Sequence, residues 1–330
     1  MKKILLSLYF FVYTLGAYEI TQAQELYLTY NTKIKPYFKS SKLQFFTSHD
    51  GLQIAYKYFQ VKNAKATIVI SSGRTESMVK YPEMIYDLTG NGYSVYILDH
   101  RGQGFSSRMV KDSQLGYVKD FFNYVKDLKQ FVDTIVKYDT KLFLLSHSMG
   151  AEIASLYIEK YKHDFDGAVL SSPMHQIKYT VGFVCKLIEY RVQKTPRYLF
   201  GETSYDNADL GFKDNVYTHS KLRLAIANEA YALNPKTKIG GPSVNWVAQA
   251  CEINPIVLEN AHRIKIPLLI LQAGDDEIVS LEPQEQFCKN VGALCTLMKI
   301  DDAKHELFIE KDLYRNKALG AIFEFLSQNL

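Results

Sequence analysis

The fold is decided by a single stretch of the chain, LFLLSHSMG at residues 142–150, which continues as AEIASLY at 151–157. The apolar start predicts a buried strand and the continuation predicts a helix, so Ser148 stands at a sharp turn between them. Because strand and helix pass close together at such a turn, small residues are required two positions before and after the serine. Ser146 and Gly150 meet this requirement. A serine held there is strained and exposed at the carboxyl edge of a sheet, which indicates a nucleophile.

Apolar and amphipathic runs alternate along most of the chain. Runs that predict strands cover 43–46, 52–59, 66–70, 93–98, 142–145, 167–170, 267–271 and 294–300. Helical spacing covers 82–88, 121–138, 149–161 and 313–326, and the polar run 25–42 predicts a lead-in helix or arm. This alternation is typical of a parallel sheet with helices on both faces. Together with the serine turn it predicts the α/β-hydrolase fold, a mostly parallel central sheet flanked by helices, with a helical cap inserted.

The alternation stops at Pro173. From 173 to 260 the pattern is helical and interrupted by prolines, and the next strand is predicted only at 267–271. We therefore predict that 173–260 is a cap or lid inserted into an α/β core formed by 24–172 and 261–330.

The first residues differ from the rest. Lys2 and Lys3 precede an apolar stretch at 4–17, and Thr21-Gln22-Ala23 follows as a site with small residues. This pattern predicts a secretory signal peptide over 1–23, cleaved after Ala23, and hence export to the periplasm or the membrane surface. The alternatives are an uncleaved membrane anchor or a buried helix, although the stretch is short for a full span.

Charge and cysteine content exclude several classes. The net charge of +4 is small for 330 residues, with no dense Lys/Arg run, so we expect no nucleic-acid partner. Four cysteines form no Cys-x-x-Cys pair and no His cluster joins them, so we expect no metal and no cofactor. Export would permit disulfides, and Cys288 could then pair with Cys295, but we favour four buried thiols.

An oxyanion hole needs two backbone donors. The amide of Met149, at the start of the helix behind the serine, is the first candidate. The second should come from the loop after the 66–70 strand, which reads SSGR at 71–74. Gly73 permits an unusual backbone there, and we assign the donor to the amide of Arg74. An ordinary strand–helix loop is the alternative.

A serine needs a base, and in this fold the order along the chain is serine, acid, histidine. Among the histidines after Ser148, only His305 lies in a loop between the late strand and the final helix. We therefore predict His305 as the base, while His100 in the DHRGQG run is a less favoured candidate.

The acid should follow the 267–271 strand, where the chain reads AGDDEIV at 273–279. We choose Asp276, because the apolar Ile278 and Val279 should anchor the loop just after it, and Asp275 is the second choice. The chosen carboxylate would orient the imidazole and stabilise its protonated form. Asp301 and Asp302 are on the wrong side of the expected order.

Several runs resemble bacterial lysophospholipases of the L-two type, which are close to monoacylglycerol lipases. They are SGRTESMVKY at 72–81, DHRGQG at 99–104, HSMG at 147–150, THS at 218–220, GGP at 240–242, WV at 246–247, KHE at 304–306 and EKD at 310–312. The resemblance covers most of the chain from about residue 65, including the cap. The Gly-Arg-x-Glu-Ser and Gly-Gly-Pro…Trp-Val runs favour lysophospholipase over a general hydrolase. One departure is Ala151, where the family often has a further glycine.

The resemblance implies carboxylester hydrolysis of lysophospholipids, possible acyl transfer to another lipid, and the triad Ser148, Asp276 and His305. It implies an oxyanion hole at Arg74 and Met149. Because characterised relatives act from inside the cell, it also makes the cytoplasmic face of the inner membrane the alternative compartment.

The first part of the cap predicts contact with a membrane surface, since basic and apolar side chains alternate there. The basic ones are Lys178, Lys186, Arg191, Lys194 and Arg197. The equal alternative is a cap helix packed on the core with its lysines reaching outward. Two other functions stay open: a monoacylglycerol lipase or general esterase on the same fold, and a catalytically inactive lipid-binding protein.

Overall fold

The computed structural model describes residues 18–178, 180, 182–192, 194–205 and 212–330 of the chain. Residues 1–17, which hold the basic start and the apolar stretch of the predicted signal peptide, lie outside the described residues. No helix within the described ranges combines the length and the apolarity needed to cross a bilayer.

A central sheet of eight strands organises the described chain, in the order β1-β2-β4-β3-β5-β6-β7-β8. β1 and β2 are antiparallel to their neighbours, and every other pair is parallel. This confirms the predicted mostly parallel sheet. The strands are β1 Gln44–Thr47, β2 Gln53–Phe59, β3 Ala66–Ser71, β4 Tyr93–Leu98, β5 Lys141–His147, β6 Gly167–Ser171, β7 Leu268–Ala273 and β8 Cys295–Ile300.

Helices cover both faces of the sheet, as predicted. One apolar cluster lies between the sheet and α4, α5, α8 and α9, and a second lies beneath α3 and α10. The described α-helices are α1 Ala23–Thr29, α2 Lys35–Ser40, α3 Pro82–Gly90, α4 Phe122–Thr134, α5 Met149–Lys160, α6 Gly182–Tyr190, α7 Lys221–Leu233, α8 Val244–Asn260, α9 Leu281–Val291 and α10 Asp312–Gln328.

Helix α4 is shorter than the 121–138 predicted from its apolar spacing. It ends at Thr134, where the amides of Ile135 and Val136 both donate to the carbonyl of Phe131. Val136 is still buried, at 4% exposure. Its apolar character therefore continues the core beyond the helix, which explains why spacing alone predicts a helix that is too long.

The chain between β6 and β7 contains α6, α7, α8, short 3₁₀ turns and isolated bridges, and its described residues include no strand of the sheet. The arrangement is the one expected of an insertion, and we call 173–260 the cap. Helix α7 is fixed to the core, because Arg223 contacts Glu83 of α3 at 2.9 Å and Asp312 of α10 at 2.8 Å.

The expectation of four buried thiols is wrong. Cys185 of α6 is bonded to Cys251 of α8, and Cys288 of α9 is bonded to Cys295 of β8, so no cysteine is free. The sequence hides the first pair, because its members lie 66 residues apart and meet only when α6 packs on α8.

The described end of the predicted signal peptide, 18–23, packs on the core. Tyr18 stacks on Phe323 of α10 with ring centroids 4.9 Å apart. Thr21 is buried and donates from its amide and hydroxyl to Asp87, while its carbonyl accepts from Arg223 and Arg315. The segment therefore joins the cap to α3 and α10 of the core, and the predicted boundary at Ala23 stays a prediction.

Candidate active site

The turn at the nucleophile has the strained strand–helix geometry that its sequence predicts, but the expected exposure is wrong, because Ser148 is buried at 7% exposure. Ser148 has φ +52° and ψ −118°, a conformation that side-chain-bearing residues rarely adopt. A β-carbon on Gly150 would lie 2.1 Å from the carbonyl oxygen of Ser71 in β3, so only glycine fits there. Ser146 is fully buried and its hydroxyl donates to the carbonyl of Val169, which shows why a serine can replace glycine at this position.

Three predicted residues come into contact at the carboxyl edge of the sheet. His305 Nε2 lies 3.0 Å from Ser148 Oγ, and His305 Nδ1 lies 2.7 Å from Asp276 Oδ2. The other carboxylate oxygen of Asp276 accepts the amides of Ile278 and Val279 at 2.8 and 3.0 Å. Burial by itself would raise the pKa of Asp276, but His305 and these donors outweigh it and hold that pKa below its usual value.

The same loop separates the chosen acid from its competitors. Asp276 is 4% exposed, whereas Asp275 and Glu277 point into solvent. Asp301 and Asp302 are also exposed. Among these acids, the buried one with the anchored carboxylate is the one that reaches the imidazole.

The loop after β3 is held firmly beside the serine turn. Ser71 and Ser146 are register partners in the parallel β3–β5 pair, so 72–74 and 147–149 leave the sheet side by side. The amide of Gly73 donates to Glu76, so it is not available to a substrate. Among the described residues, no acceptor bonds the amide of Arg74 or Met149. Both assigned donors are therefore available for an oxyanion.

A buried ionic network behind the triad is absent from the sequence predictions. Glu76 Oε2 lies 3.2 Å from His147 Nδ1, and Lys80 bonds both Glu76 and Glu306, at 2.6 and 2.5 Å. Burial opposes the charge on His147, but Glu76 outweighs burial and raises the pKa of His147. His147 Nε2 lies 3.4 Å from the carbonyl oxygen of His305.

This network fixes loops rather than supplying reacting groups. It ties the oxyanion loop, the residue before the nucleophile and the loop that carries the base into one unit. One sequence feature does point to these residues, because Glu76, His147 and Glu306 belong to the runs that resemble the lysophospholipases. Their pairing depends on three-dimensional contact, which the sequence does not display.

His100 is not placed to act as a base. It is fully buried and its Nε2 lies 3.0 Å from the hydroxyl of Ser71, which donates to the carbonyl of Gly150. Burial lowers its pKa to about 3, so the ring is neutral. His100 supports the close approach of β3 to α5.

The profile of the Hydrolase_4 family, described as serine aminopeptidase S33, matches residues 62–312. The chain belongs to this hydrolase family. The S33 match spans β3 to the start of α10 and includes Ser148, Asp276 and His305.

The chain is similar both to proteins named lysophospholipase and to proteins named monoglyceride lipase. It is 33% identical to lysophospholipase L2 of Escherichia coli strain K12 over 295 residues, which cover 86% of the chain and 87% of the relative. It is 36% identical to monoglyceride lipase of Mus musculus over 297 residues, covering 85% and 89%.

A solved structure shares the fold of this S33 chain. A soluble variant of monoglyceride lipase from Saccharomyces cerevisiae, in complex with a substrate analog, superposes with a TM-score of 0.70 at 20% identity. The match covers 88% of this chain and 95% of that one. The family match and the similarity to lysophospholipase L2 confirm the resemblance seen in the sequence runs. Sequence identity alone does not separate the lysophospholipase from the monoglyceride lipase, since the two values are 33% and 36%.

Proposed function

We propose that this chain is a serine carboxylester hydrolase that acts on lysophospholipids. The observation that carries the proposal is the contact chain from Asp276 through His305 to Ser148, with distances of 2.7 and 3.0 Å, at a strained strand–helix turn. This arrangement supports a nucleophile, a base and a group that orients the base. It argues against a catalytically inactive lipid-binding protein.

The proposed reaction proceeds in two acyl-transfer steps. Ser148 Oγ bonds to the ester carbonyl carbon while its proton passes to His305 Nε2, and the amides of Arg74 and Met149 donate to the oxyanion. The carbon–oxygen bond to glycerol then breaks, and the leaving oxygen takes the proton from His305. Water adds to the acyl-enzyme by the same transfers, which releases the fatty acid and restores Ser148. A lipid hydroxyl in place of water would move the acyl group to that lipid.

The choice of substrate rests on the relatives. Lysophospholipase L2 of Escherichia coli and monoglyceride lipase of Mus musculus both match more than four-fifths of the chain. Lysophospholipids are the first choice because the sequence runs singled out above favour them, and monoacylglycerols are the second candidate.

One panel of assays tests the proposal. Purified protein is given a lysophospholipid, a monoacylglycerol of the same acyl chain and a short-chain ester. We expect fastest turnover of the lysophospholipid, and a loss of at least about 10³-fold on Ser148→Ala with unchanged thermal unfolding. Full activity of the Ser148→Ala variant would contradict the nucleophile.

We also propose that the cap touches the membrane that holds the substrate. Phe183, Tyr190 and Phe200 are 79%, 90% and 99% exposed, and the basic side chains Lys186, Arg191, Lys194 and Arg197 are exposed between them. Exposed apolar side chains that alternate along the chain with exposed cations suit an anionic lipid surface.

Vesicle flotation tests this contact. Replacing Phe183 and Phe200 by serine should weaken binding to vesicles that contain phosphatidylglycerol. The matched control is Leu313→Ser, which removes an apolar side chain that is 58% exposed and lies outside the cap. Equal binding by all three proteins, or binding that ignores anionic lipid, would contradict the proposal.

We further propose that the protein is exported. The basic and apolar start supports a signal peptide, and two disulfides that use all four cysteines suit an oxidising compartment. Fractionation of the native host, with thiol labelling of the recovered protein, tests both points. Recovery in the cytoplasm with free thiols would favour the cytoplasmic face of the inner membrane instead.

A further inference from the structure

Two sequence runs meet in the structure at one guanidinium group. They are GRTES at 73–77, in the loop after β3, and GGPSVNWV at 240–247, in the cap before and inside α8. Arg74 Nη1 donates to the carbonyl of Gly240 at 3.1 Å. The guanidinium carbon of Arg74 lies 5.4 Å from the ring centroid of Trp246, which is buried. The side chain thus points from the oxyanion loop to the cap.

The contacts with Gly240 and Trp246 orient this guanidinium but use only one of its N–H donors. An arginine side chain carries five N–H donors, and the bond to Gly240 uses one of them. The aromatic face of Trp246 fixes the plane of the group and accepts no conventional hydrogen bond. No other acceptor among the described residues bonds this group, so the remaining donors can meet a second planar or tetrahedral acceptor.

The guanidinium packs closely against a glycine. A β-carbon on Gly116 would lie 3.3 Å from Arg74 Nη1 and 3.1 Å from the carbonyl oxygen of Gly241. Gly116 also bonds the cap directly, since its amide donates to Gly241 and its carbonyl accepts from Ser243. A larger residue at 116 would push on the guanidinium and on the cap together.

The buried arginines of the described chain contact carboxylates: Arg101 reaches Asp127 at 2.6 Å, Arg223 reaches Glu83 at 2.9 Å, and Arg315 reaches Asp87 at 2.6 Å.

Arg74 differs, since no carboxylate lies within ion-pair distance of it in the described part of the chain. Burial lowers its pKa, and Tyr217, Glu202 and Tyr124 oppose this shift. A cation seated in this way favours an incoming anion.

The Arg74 side chain starts close to the place where the substrate ester would bind. The backbone of Arg74 is assigned to the oxyanion hole, so its side chain begins next to the carbonyl that Ser148 attacks. In a lysophospholipid the phosphodiester is joined to the esterified glycerol, on the leaving-group side of that carbonyl. A monoacylglycerol carries a neutral hydroxyl there.

We propose that the Arg74 guanidinium binds the phosphodiester of the lysophospholipid headgroup and thereby selects lysophospholipids over monoacylglycerols. The inference rests on the proposed function and assigns its specificity to one side chain. The recognised chemistry is a singly charged phosphate ester held by charge-assisted N–H donors.

The test is the ratio of kcat/KM for a lysophosphatidylglycerol to kcat/KM for a monoacylglycerol with the same acyl chain. Arg74→Met should lower this ratio by about 10- to 100-fold, and Arg74→Lys should lower it less because the charge remains. The monoacylglycerol serves as an internal reference, so any loss shared by both substrates cancels. An equal loss on both substrates would overturn the assignment.

A matched control removes a positive charge elsewhere. Arg263 is exposed and precedes β7, at the edge of the sheet opposite the catalytic edge. Arg263→Met should keep the wild-type ratio. A ratio lowered as much as in Arg74→Met would show general attraction to anionic lipid and overturn the inference.

A second measurement uses the unaltered protein. An ether-linked lysophospholipid should inhibit at least about tenfold more tightly than the matching alkyl glycerol ether. Equal inhibition by both ethers would overturn the phosphodiester site, as would micromolar inhibition by inorganic phosphate alone, which would indicate a site for free phosphate. If the wild-type protein hydrolyses no lysophospholipid, the proposed function fails; if it does but the ratio is insensitive to Arg74, only this inference fails.

Discussion

Ser148 is held by its neighbours rather than by its own side chain. Its amide donates to the carbonyl of Ser171 at the end of β6, and its carbonyl accepts the amide of Met174. These bonds retain the positive φ that directs Oγ out of the turn toward His305. Backbone strain of this kind persists only where surrounding structure enforces it.

Asp276 should matter for the protonation form of His305 more than for stability. In Asp276→Asn, an amide that can donate to Nδ1 would favour the tautomer with the proton on Nε2, where the base must accept one. We expect kcat to fall by about 10³- to 10⁴-fold with a small change in the unfolding midpoint. Steady-state kinetics on the preferred ester and thermal unfolding measure the two quantities.

The control for this substitution is the adjacent acid. Asp275 is exposed, and its amide donates to the carbonyl of Ala303. Asp275→Asn keeps that backbone bond, so activity should stay within about twofold of wild type, because a surface change of this kind has little effect. A larger loss in Asp275→Asn than in Asp276→Asn would reverse the assignment of the acid.

For single residues, the sequence predicts those catalytic candidates that a local turn or the order of elements along the chain can identify. Ser148 follows from its turn, and His305 from its place between a strand and the last helix. The Glu76–His147 pair does not follow, because its members are 71 positions apart and pair only across two loops. The side-chain role inferred for Arg74 likewise depends on Gly240 and Trp246, which the cap brings to it.

Helix α5, which starts at the nucleophile, contains two buried acids that no cation neutralises in the described chain. Glu152 is fully buried, and Glu159 is 9% exposed with an oxygen that has no hydrogen-bond partner among described residues. Burial raises the pKa of Glu159 to about 9, opposed weakly by Arg263, so its carboxyl is protonated at neutral pH. Burial and Glu159 together raise the pKa of Glu152 well above its usual value.

This helix should give the protein a pH-dependent stability. Between the unfolded pKa of 4.5 and the folded pKa of about 9, the folded chain holds a proton on Glu159 that the unfolded chain releases. The free energy of unfolding therefore falls as pH rises through this window, by up to about 1.4 kcal/mol per unit. Glu159→Gln lacks this loss, so its stability relative to wild type should grow from pH 5 to pH 9. Urea unfolding at several pH values measures it, and a constant difference would contradict the buried, protonated carboxyl.

The two disulfides should contribute unequally. Closing a loop between residues 66 positions apart restricts the unfolded chain more than closing one of 7. Replacing Cys185 and Cys251 by alanine should lower the free energy of unfolding by about 4 kcal/mol, against about 2.5 kcal/mol for Cys288 and Cys295. Chemical unfolding of the two double variants compares them directly. A larger loss from the short loop would contradict the expected order.

Secondary structure is largely predictable here, because the strands are short apolar runs bounded by turns. The predicted strand 93–98 is observed as β4 without change, and most other boundaries move by one or two residues. Prediction fails where an apolar residue serves the core outside a helix, as Val136 does after α4. It also fails for the Cys185–Cys251 bond, which the packing of two cap helices creates.

On the scale of the whole molecule, the segment 18–23 connects parts that are far apart in sequence. The carbonyl of Thr21 accepts from Arg223 of the cap and from Arg315 of α10, each at 3.2 Å. The amide of Ala23 donates to Asp312 at the start of α10. Cap, final helix and leading segment therefore share one buried polar cluster.

Removing this segment should destabilise the fold. A chain that begins at Gln24 loses the partners that Thr21 supplies to buried charged groups, whereas a chain that begins at Tyr18 keeps them. We expect the shorter chain to be less stable by about 2–4 kcal/mol, measured by chemical unfolding. Equal stability would show that the segment is dispensable.

The same comparison bears on processing. Cleavage after Ala23 would remove Thr21 from the cluster, and a cut upstream of Tyr18 would retain it. N-terminal sequencing of the protein purified from its host distinguishes these outcomes.

The shared cluster at Thr21 also orders events during synthesis. The ribosome makes 18–23 long before the partners Asp312, Arg315 and Phe323, which belong to the last helix, α10. Until that helix emerges, the leading segment lacks these three partners. The contacts of the leading segment are therefore completed only when translation is nearly finished.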